Sequence, residues 1–379
     1  MEGGIQEALR RFGPSWAARC RPTAHQATVL QHIRDCRTEA LGGHVTVCPE
    51  CGEEHVLYHS CRDRHCPRCQ FAQREAWLLS RKEELLPVTY FHVVFTLPDA
   101  LNGIVLGHQE GAYAALFHAA WDTLGAFAGK QGVQLGMTAL LHTWGSALVF
   151  HPHLHCIVPG GGRAQEGGKW KSLPQVKGGD KEPFLFPVKA LGVMFRAKYM
   201  AALSAVSDIP DDIRKACFSK PWVVYAKSPV TGPESTLEYL SRYAYRVAIG
   251  DRRVLAVGDG GVTFLYKDYR DGGMEKAMTL DGEEFVRRYA LHVLPFRFVH
   301  IRHYGVLAPG NRAALAVLQA ELGAAPVPLR RARRRWRDIA TARGLVMGLC
   351  PYCGVGALLV VKTLPHIRSP ERNPSLYVG

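Results

Sequence analysis

The sequence predicts an α+β protein: helices and strands mixed without strict alternation, preceded by a small metal-stapled domain. Three observations lead there. The chain has 379 residues and 47% hydrophobic content, enough to build cores in two or three domains. Apolar runs such as Thr89–Pro98 are β-branched, aromatic and bounded by proline, whereas residues 101–130 are alanine-rich, so strand-like and helix-like segments coexist. Seven of the eleven cysteines fall between Cys20 and Cys69, a density that points to metal rather than to disulfides.

Residues 1 to about 35 read as helical, with Trp16, Val29, Leu30 and Ile33 as apolar contacts. A cysteine- and histidine-rich stretch follows from Cys36 to Cys69. A helix carrying Trp77, Leu78 and Leu79 ends before Pro87, a natural boundary. The Thr89–Pro98 strand and a helix over 101–130 come next. One or two strands over 138–158 run into Pro159-Gly-Gly-Gly162, and a polar loop extends to about 182. A helix near 189–206, a short strand Trp222–Tyr225, a helix from Ser235 and several strands over 247–304 complete the middle. The tail is basic and carries a last cysteine pair. These breaks predict three parts: a helical and zinc-binding domain over 1–86, a catalytic domain over 87–310, and a basic tail over 311–379.

A net charge of +14 and a pI near 9.4 favour a polyanionic partner, most commonly nucleic acid. Charged residues make up only 21%, which excludes a disordered polyelectrolyte. Met1-Glu2-Gly3-Gly4 lacks the features of a secretory signal, and no apolar run reaches the ~18 residues needed to span a bilayer. The expectation is a soluble, cytoplasmic, nucleoid-associated protein with no membrane partner.

Cys48-Pro-Glu-Cys51 and Cys66-Pro-Arg-Cys69 are two knuckles separated by fourteen residues. Each presents two thiolates, and together they predict one four-thiolate zinc site. Cys36, His44, Cys61 and His65 have the residue types for a second ion, with His55 and His59 as substitutes. One or two structural Zn²⁺ are therefore expected. Cys350-Pro-Tyr-Cys353 reads as half a site without a visible partner knuckle, for which His366 or an upstream histidine is the candidate complement.

His151-Pro-His153-Leu-His155 places three imidazoles on one face of a strand, with Phe150, Leu154, Cys156 and Val158 turned to a core. Two neutral imidazoles, His153 and His155, suit a divalent ion. His151, His142, His92 and Gln134 are candidates for a third ligand, and spacing does not choose among them. Ser235-Thr-Leu-Glu238 has the pattern of a capping box opening a helix. Tyr239 and Tyr243 are four apart on it, so both hydroxyls can share a face, with Arg242 and Arg246 available to a phosphate. Arg330, Arg331, Arg333, Arg334, Arg335 and Arg337 surround Trp336, a combination suited to backbone contacts and base stacking.

Taken in order, Leu41-Gly-Gly-His44, Ser60-Cys-Arg-Asp-Arg-His-Cys-Pro-Arg-Cys69, Phe91-His-Val-Val-Phe-Thr-Leu-Pro98, His151-Pro-His-Leu-His155, Tyr239-Leu-Ser-Arg-Tyr243, His292-Val-Leu-Pro295 and Ile301-Arg-His-Tyr-Gly305 resemble rolling-circle insertion-sequence transposases of the HUH (His-hydrophobic-His) endonuclease superfamily. The resemblance is to the two-tyrosine type with an N-terminal zinc-binding domain, and it covers residues 20 to about 310. It implies a central antiparallel sheet with flanking helices, His153 and His155 as ligands of a catalytic Mg²⁺ or Mn²⁺, and Tyr239 and Tyr243 as nucleophiles. Single-stranded DNA at element ends and target would be nicked and joined through a 5′-phosphotyrosine. Many relatives carry Thr-His after the second tyrosine; this chain has Ala244-Tyr245, which brings a third hydroxyl nearby. No G-x-x-x-x-G-K-[ST] loop is present, so duplex unwinding would fall to a host helicase. The alternatives are a rolling-circle replication initiator or relaxase-like nickase, and a non-catalytic zinc-dependent DNA-binding protein.

Overall fold

In the computed structural model, described over residues 4–178, 181–241, 243–330, 334–346 and 348–367, helices and antiparallel sheets mix as an α+β fold. Two helices, α1 (Ile5–Cys20) and α2 (Ala24–Asp35), precede the hairpin β1 (Gly43–Val47) and β2 (Glu54–Tyr58) and the helix α3 (Gln70–Lys82). Then come β3 (Thr89–Thr96), α4 (Asn102–Gly107), α5 (Gln109–Gly129), β4 (Val133–Trp144), β5 (Phe150–Pro159), β6 (Gly161–Ala164) and β7 (Trp170–Ser172). Small strands β8 (Val176–Gly178) and β9 (Lys181–Phe184) lead to α6 (Val188–Ser204), α7 (Asp211–Ser219), β10 (Val224–Thr231) and α8 (Pro233–Ser241). A three-stranded sheet of β11 (Val254–Gly258), β12 (Gly261–Asp268) and β13 (Met274–Leu280) is followed by α9 (Gly282–Ala290), β14 (Ile301–Gly305), α10 (Arg312–Glu321), α11 (Trp336–Arg343) and β15 (Leu359–Leu364).

The main sheet is antiparallel throughout and has β5 in its interior. On one side β5 pairs with β3, which pairs with β10; on the other it pairs with β4. Thr138 of β4 faces Ile157 of β5 across one edge and His303 of β14 across the other, so β14 extends the sheet beyond β4. Strand alternation then gives the sheet two different faces. Phe150, Leu154, Cys156 and Val158 pack with Phe91, Val93 and Phe95 into the largest core, under α5 and α6. Ile157, Leu140 and Tyr90 point the other way, where Trp77 and Leu78 of α3 and Leu240 of α8 cover them. The histidines share that second face.

Two expected elements differ in detail. Residues 138–158 are two strands, reversed by a turn in which Gly145 N–H donates to the Val149 carbonyl at 2.9 Å. The helix expected from Ser235 begins at Pro233, because Gly232 with φ +87 ends β10 and proline suits the first helical turn. It ends at Ser241, so Tyr243 sits in the turn just beyond it, with Tyr243 N–H and Ala244 N–H both on the Leu240 carbonyl.

The N-terminal and C-terminal segments are not peripheral. Ile5, Leu9, Trp16, Val29 and Ile33 share a second core with Phe264, Phe285, Val286 and Tyr289, so α1 and α2 pack on α9 and the β11–β13 sheet. The tail returns to the N-terminal region: α11 packs on α3, and β15 pairs antiparallel with β1 to make the order β15-β1-β2. Among the described residues no helix is long and apolar enough to cross a membrane.

Candidate active site and cysteine clusters

Strand register brings the imidazoles together. His142 of β4 lies directly opposite His153 of β5, and His155 is two residues further along the same face. One ring nitrogen from each of His142, His153 and His155 falls within 4.8 Å of the others. Of the four candidates for a third partner of His153 and His155, the structure brings in His142. His151 lies outside the cluster, 3.8 Å from the Asp99 carboxylate. Gln134 is at the far end of β4, opposite Arg163. His92 sits behind the cluster, its Nε2 2.9 Å from Nδ1 of His155.

Hydrogen bonds fix how two of these rings are presented. His153 Nδ1 donates to the His151 carbonyl at 2.7 Å, which leaves Nε2 as a lone pair. His142 Nε2 donates to the Tyr243 carbonyl at 3.0 Å, which leaves Nδ1. Burial lowers the His153 imidazole to about 4 and pushes His142 well below its usual value, so both are neutral at physiological pH. Neutral, oriented imidazoles are the protonation state a divalent ion requires.

The tyrosines lie on top of this cluster. The Tyr243 ring is 4.3 Å from that of His155, centroid to centroid. The Tyr239 hydroxyl is 2.5 Å from Nδ1 of His92, and the Tyr243 hydroxyl donates to the Tyr239 oxygen at 3.3 Å. A continuous hydrogen-bonded line therefore runs from Tyr243 through Tyr239 and His92 to His155. Tyr245, in the left-handed region at φ 55, turns the chain away, and its ring meets Trp77 and His300. Arg242 falls outside the described residues. Arg246 is exposed and lines a pocket with Arg64, Trp144, His292 and His300. Trp144, not anticipated from the sequence, stacks on His142 at 4.5 Å.

The cysteines sort into two groups of four, differently from expectation. Cys66 and Cys69 join Cys36 and Cys61, while Cys48 and Cys51 join Cys350 and Cys353. The single site expected from Cys48, Cys51, Cys66 and Cys69 does not form, because those two knuckles sit at opposite ends of the hairpin region. In the first group Sγ separations are 3.5 Å for Cys36–Cys69 and 3.7 Å for Cys61–Cys69. A tetrahedral ion with metal–sulfur bonds of ~2.3 Å has sulfur–sulfur edges of about 3.8 Å, so the spacing fits zinc. Hydrogen bonding from Cys61 lowers the Cys36 thiol to about 7.

The histidines named as ligands do other work. His65 is held by Asp63 at 2.9 Å and accepts from Leu294 N–H at 3.1 Å, and His44 meets His59 edge-on at 4.8 Å. His366 is exposed and outside both groups. A sequence signal for the true partners exists. Cys48-Pro-Glu-Cys51-Gly52 and Cys350-Pro-Tyr-Cys353-Gly354 both end in glycine, whereas Cys69 is followed by Gln70 at the start of α3.

Of the tail's basic cluster, Arg331 and Arg333 lie outside the described residues. Arg334 is paired with Glu83. Arg330, Arg335 and Arg337 are exposed, and Trp336 meets Phe71 of α3 edge-on at 6.2 Å. Arg64 and Arg68 near the second knuckle are also engaged: Arg64 bonds the carbonyls of Pro295 and Phe298, and Arg68 pairs with Asp251 at 3.0 Å.

Residues 136–314, which contain the three clustered histidines and both tyrosines, match a family model described as "Putative transposase". Residues 8–97 match a "Transposase zinc-binding domain" model. The chain is 39% identical to the "Putative transposase y4qJ" of Sinorhizobium fredii, over 97% of each chain. It is 29% identical to the transposase for insertion sequence element IS801 of Pseudomonas savastanoi pv. phaseolicola, over 72% of this chain and 68% of that one. No solved structure matches. A full-length relative, a transposase-domain match over the histidine–tyrosine site and a zinc-domain match over the cysteines agree: the chain belongs to the IS91-type family of insertion-sequence transposases.

Proposed function

We propose that this transposase nicks and rejoins single-stranded DNA at element ends through a 5′-phosphotyrosine, using Tyr239 and Tyr243 at a centre formed by His142, His153 and His155. The observation that supports it most is the convergence of three oriented imidazoles with two phenols that share a hydrogen bond. Mg²⁺ or Mn²⁺ held by the imidazoles would polarise the scissile phosphate and offset its developing charge.

The protein's own groups do the rest. With His155 offering Nε2 to an ion, its Nδ1 carries the proton and donates to His92. His92 then accepts at Nε2, carries its single ring proton on Nδ1 and donates that hydrogen bond to the Tyr239 oxygen, which also accepts from Tyr243. Two donors on one phenolic oxygen stabilise the phenolate, which a phenol with an ordinary pKa of ~10 needs to react at neutral pH. Tyr239 gives its phenolic proton to solvent and attacks phosphorus in line as the phenolate; the bond to the 3′ oxygen breaks, and a proton from solvent completes the 3′-OH, so no net proton is gained or lost. The phosphoester energy stays in the tyrosine link, so rejoining needs no nucleotide. With Tyr239 esterified, the second phenol, Tyr243, would serve a second cleavage while the first link persists. Exposed Arg246, Arg330, Arg335, Arg337 and Trp336 would bind the strand, and a host helicase would open the duplex.

The test is incubation of the protein with end-labelled single-stranded element DNA and Mn²⁺, followed by a denaturing gel. A covalent adduct is expected, lost with EDTA and in His155→Ala. Absence of an adduct on every single-stranded end tried, with DNA binding intact, would favour a non-catalytic DNA-binding protein.

A further inference from the structure

We infer that Cys48, Cys51, Cys350 and Cys353 form a second zinc site, made from the two ends of the chain, which clasps the C-terminal tail to the N-terminal sheet. The transposase zinc-domain match ends at residue 97 and so holds only half of this set.

The geometry is that of a tetrahedral thiolate site. Cys48 and Cys353 sulfurs are 3.7 Å apart, as are those of Cys51 and Cys350. That is close to the ~3.8 Å edge of a four-thiolate zinc site and far from the ~2.05 Å of a disulfide bond. The two knuckles are built alike. Gly52 N–H donates to the Cys48 carbonyl at 2.9 Å, and Gly354 N–H donates to the Cys350 carbonyl at 2.9 Å. Both glycines are left-handed, at φ 73 and 72, a conformation that costs glycine little. Each turn aims backbone N–H groups at its sulfurs. Outside the four sulfurs, His55 of β2 reaches Cys350 at 3.5 Å. The tail also fits closely: a Cβ on Gly356 would overlap the Cys48 sulfur.

The surrounding sheet explains the need for an ion. β15 is exposed along nearly its whole length and β2 almost as much, with Val56, Leu57, Val360 and Val361 each about half exposed. A three-stranded sheet with no apolar interior of its own is the situation in which a structural metal supplies the missing folding energy. The consequence is positional. Cys51 and Cys350 are 299 residues apart in sequence, and joining them holds α11 and its flanking arginines against α3.

Full-length wild-type chain, purified without chelator, should contain two zinc ions per chain by elemental analysis, and Cys350→Ser/Cys353→Ser should contain one. Trypsin should cut the arginine-rich stretch 330–343 faster in that variant than in wild type. Should the variant not fold, iodoacetamide labelling of wild type decides. Exposed Cys51 should be protected as long as zinc is bound and should react like the unclustered, exposed Cys20 after chelation. One zinc per wild-type chain, with Cys51 and Cys353 alkylated as fast as Cys20 before chelation, would overturn the clasp.

Discussion

His92 and His292 show how burial and hydrogen bonding assign different tasks to one side chain. His92 touches both His155 of the imidazole cluster and Tyr239, so under the proposed function it would position them. Outer partners of metal-ligating histidines typically matter about 10–100-fold. His92→Ala should therefore slow single-turnover adduct formation by that factor in Mn²⁺ while the helical circular dichroism stays unchanged; an unaltered rate would remove His92 from the line. His292 is buried between Thr143 and the Leu148 carbonyl, and burial lowers its imidazole to about 4. Its folded value lies below the unfolded ~6.5, so between those values the unfolded chain binds the extra proton. The stabilisation is thus complete above pH ~6.5 and is lost as the pH falls toward 4, about 3 kcal/mol for a shift of this size. Denaturant melts from pH 7 to pH 4.5 should show His292→Gln losing less stability than wild type. Equal losses would mean that this histidine is not held neutral.

The elements that position the site were legible where their periodicity is strong. Alternation in Phe150–Val158 puts the histidines on one face and Leu154 and Cys156 in the core, as found. The four-residue spacing of the tyrosines survives even though the helix stops at Ser241, because the following turn keeps Tyr243 on the Leu240 carbonyl. Three things were not legible. The third imidazole depends on the β4–β5 register, which single-sequence spacing does not set. The pairing of cysteine knuckles depends on a tail strand more than 300 residues from its partner. The helix start moved because Gly232 and Pro233 outweighed the capping pattern at Ser235. The triple glycine after β5 is explained by crowding: a Cβ on Gly162 would overlap the Gln134 carbonyl across the β4–β6 pair. Gly162→Ala should cost about 1–3 kcal/mol in a denaturant melt, the usual range for forced overpacking; a cost near zero would mean that the strands separate freely there.

Across the whole molecule, ionic contacts tie α3 to the segment after the main sheet. Arg81 and Arg312 both pair with Glu84, and all three side chains are largely buried. Removing the shared carboxylate leaves two buried cations, so Glu84→Gln should destabilise the chain by about 3–5 kcal/mol. A thermal melt unchanged from wild type would contradict that. The same packing places the cysteine clusters, the sheet and the basic tail on one framework, with the tyrosines and imidazoles between α3, α8 and β5. The proposed function requires that a phenol of the 239–243 segment becomes joined to DNA. Nuclease digestion of the covalent complex, then proteolysis and mass spectrometry of the nucleotide-bearing peptide, tests it directly. A nucleotide phosphate is expected on Tyr239 or Tyr243, absent from the Tyr239→Phe/Tyr243→Phe double variant; a nucleotide on any other residue, or an adduct that persists in the double variant, would rule out these tyrosines as the nucleophiles.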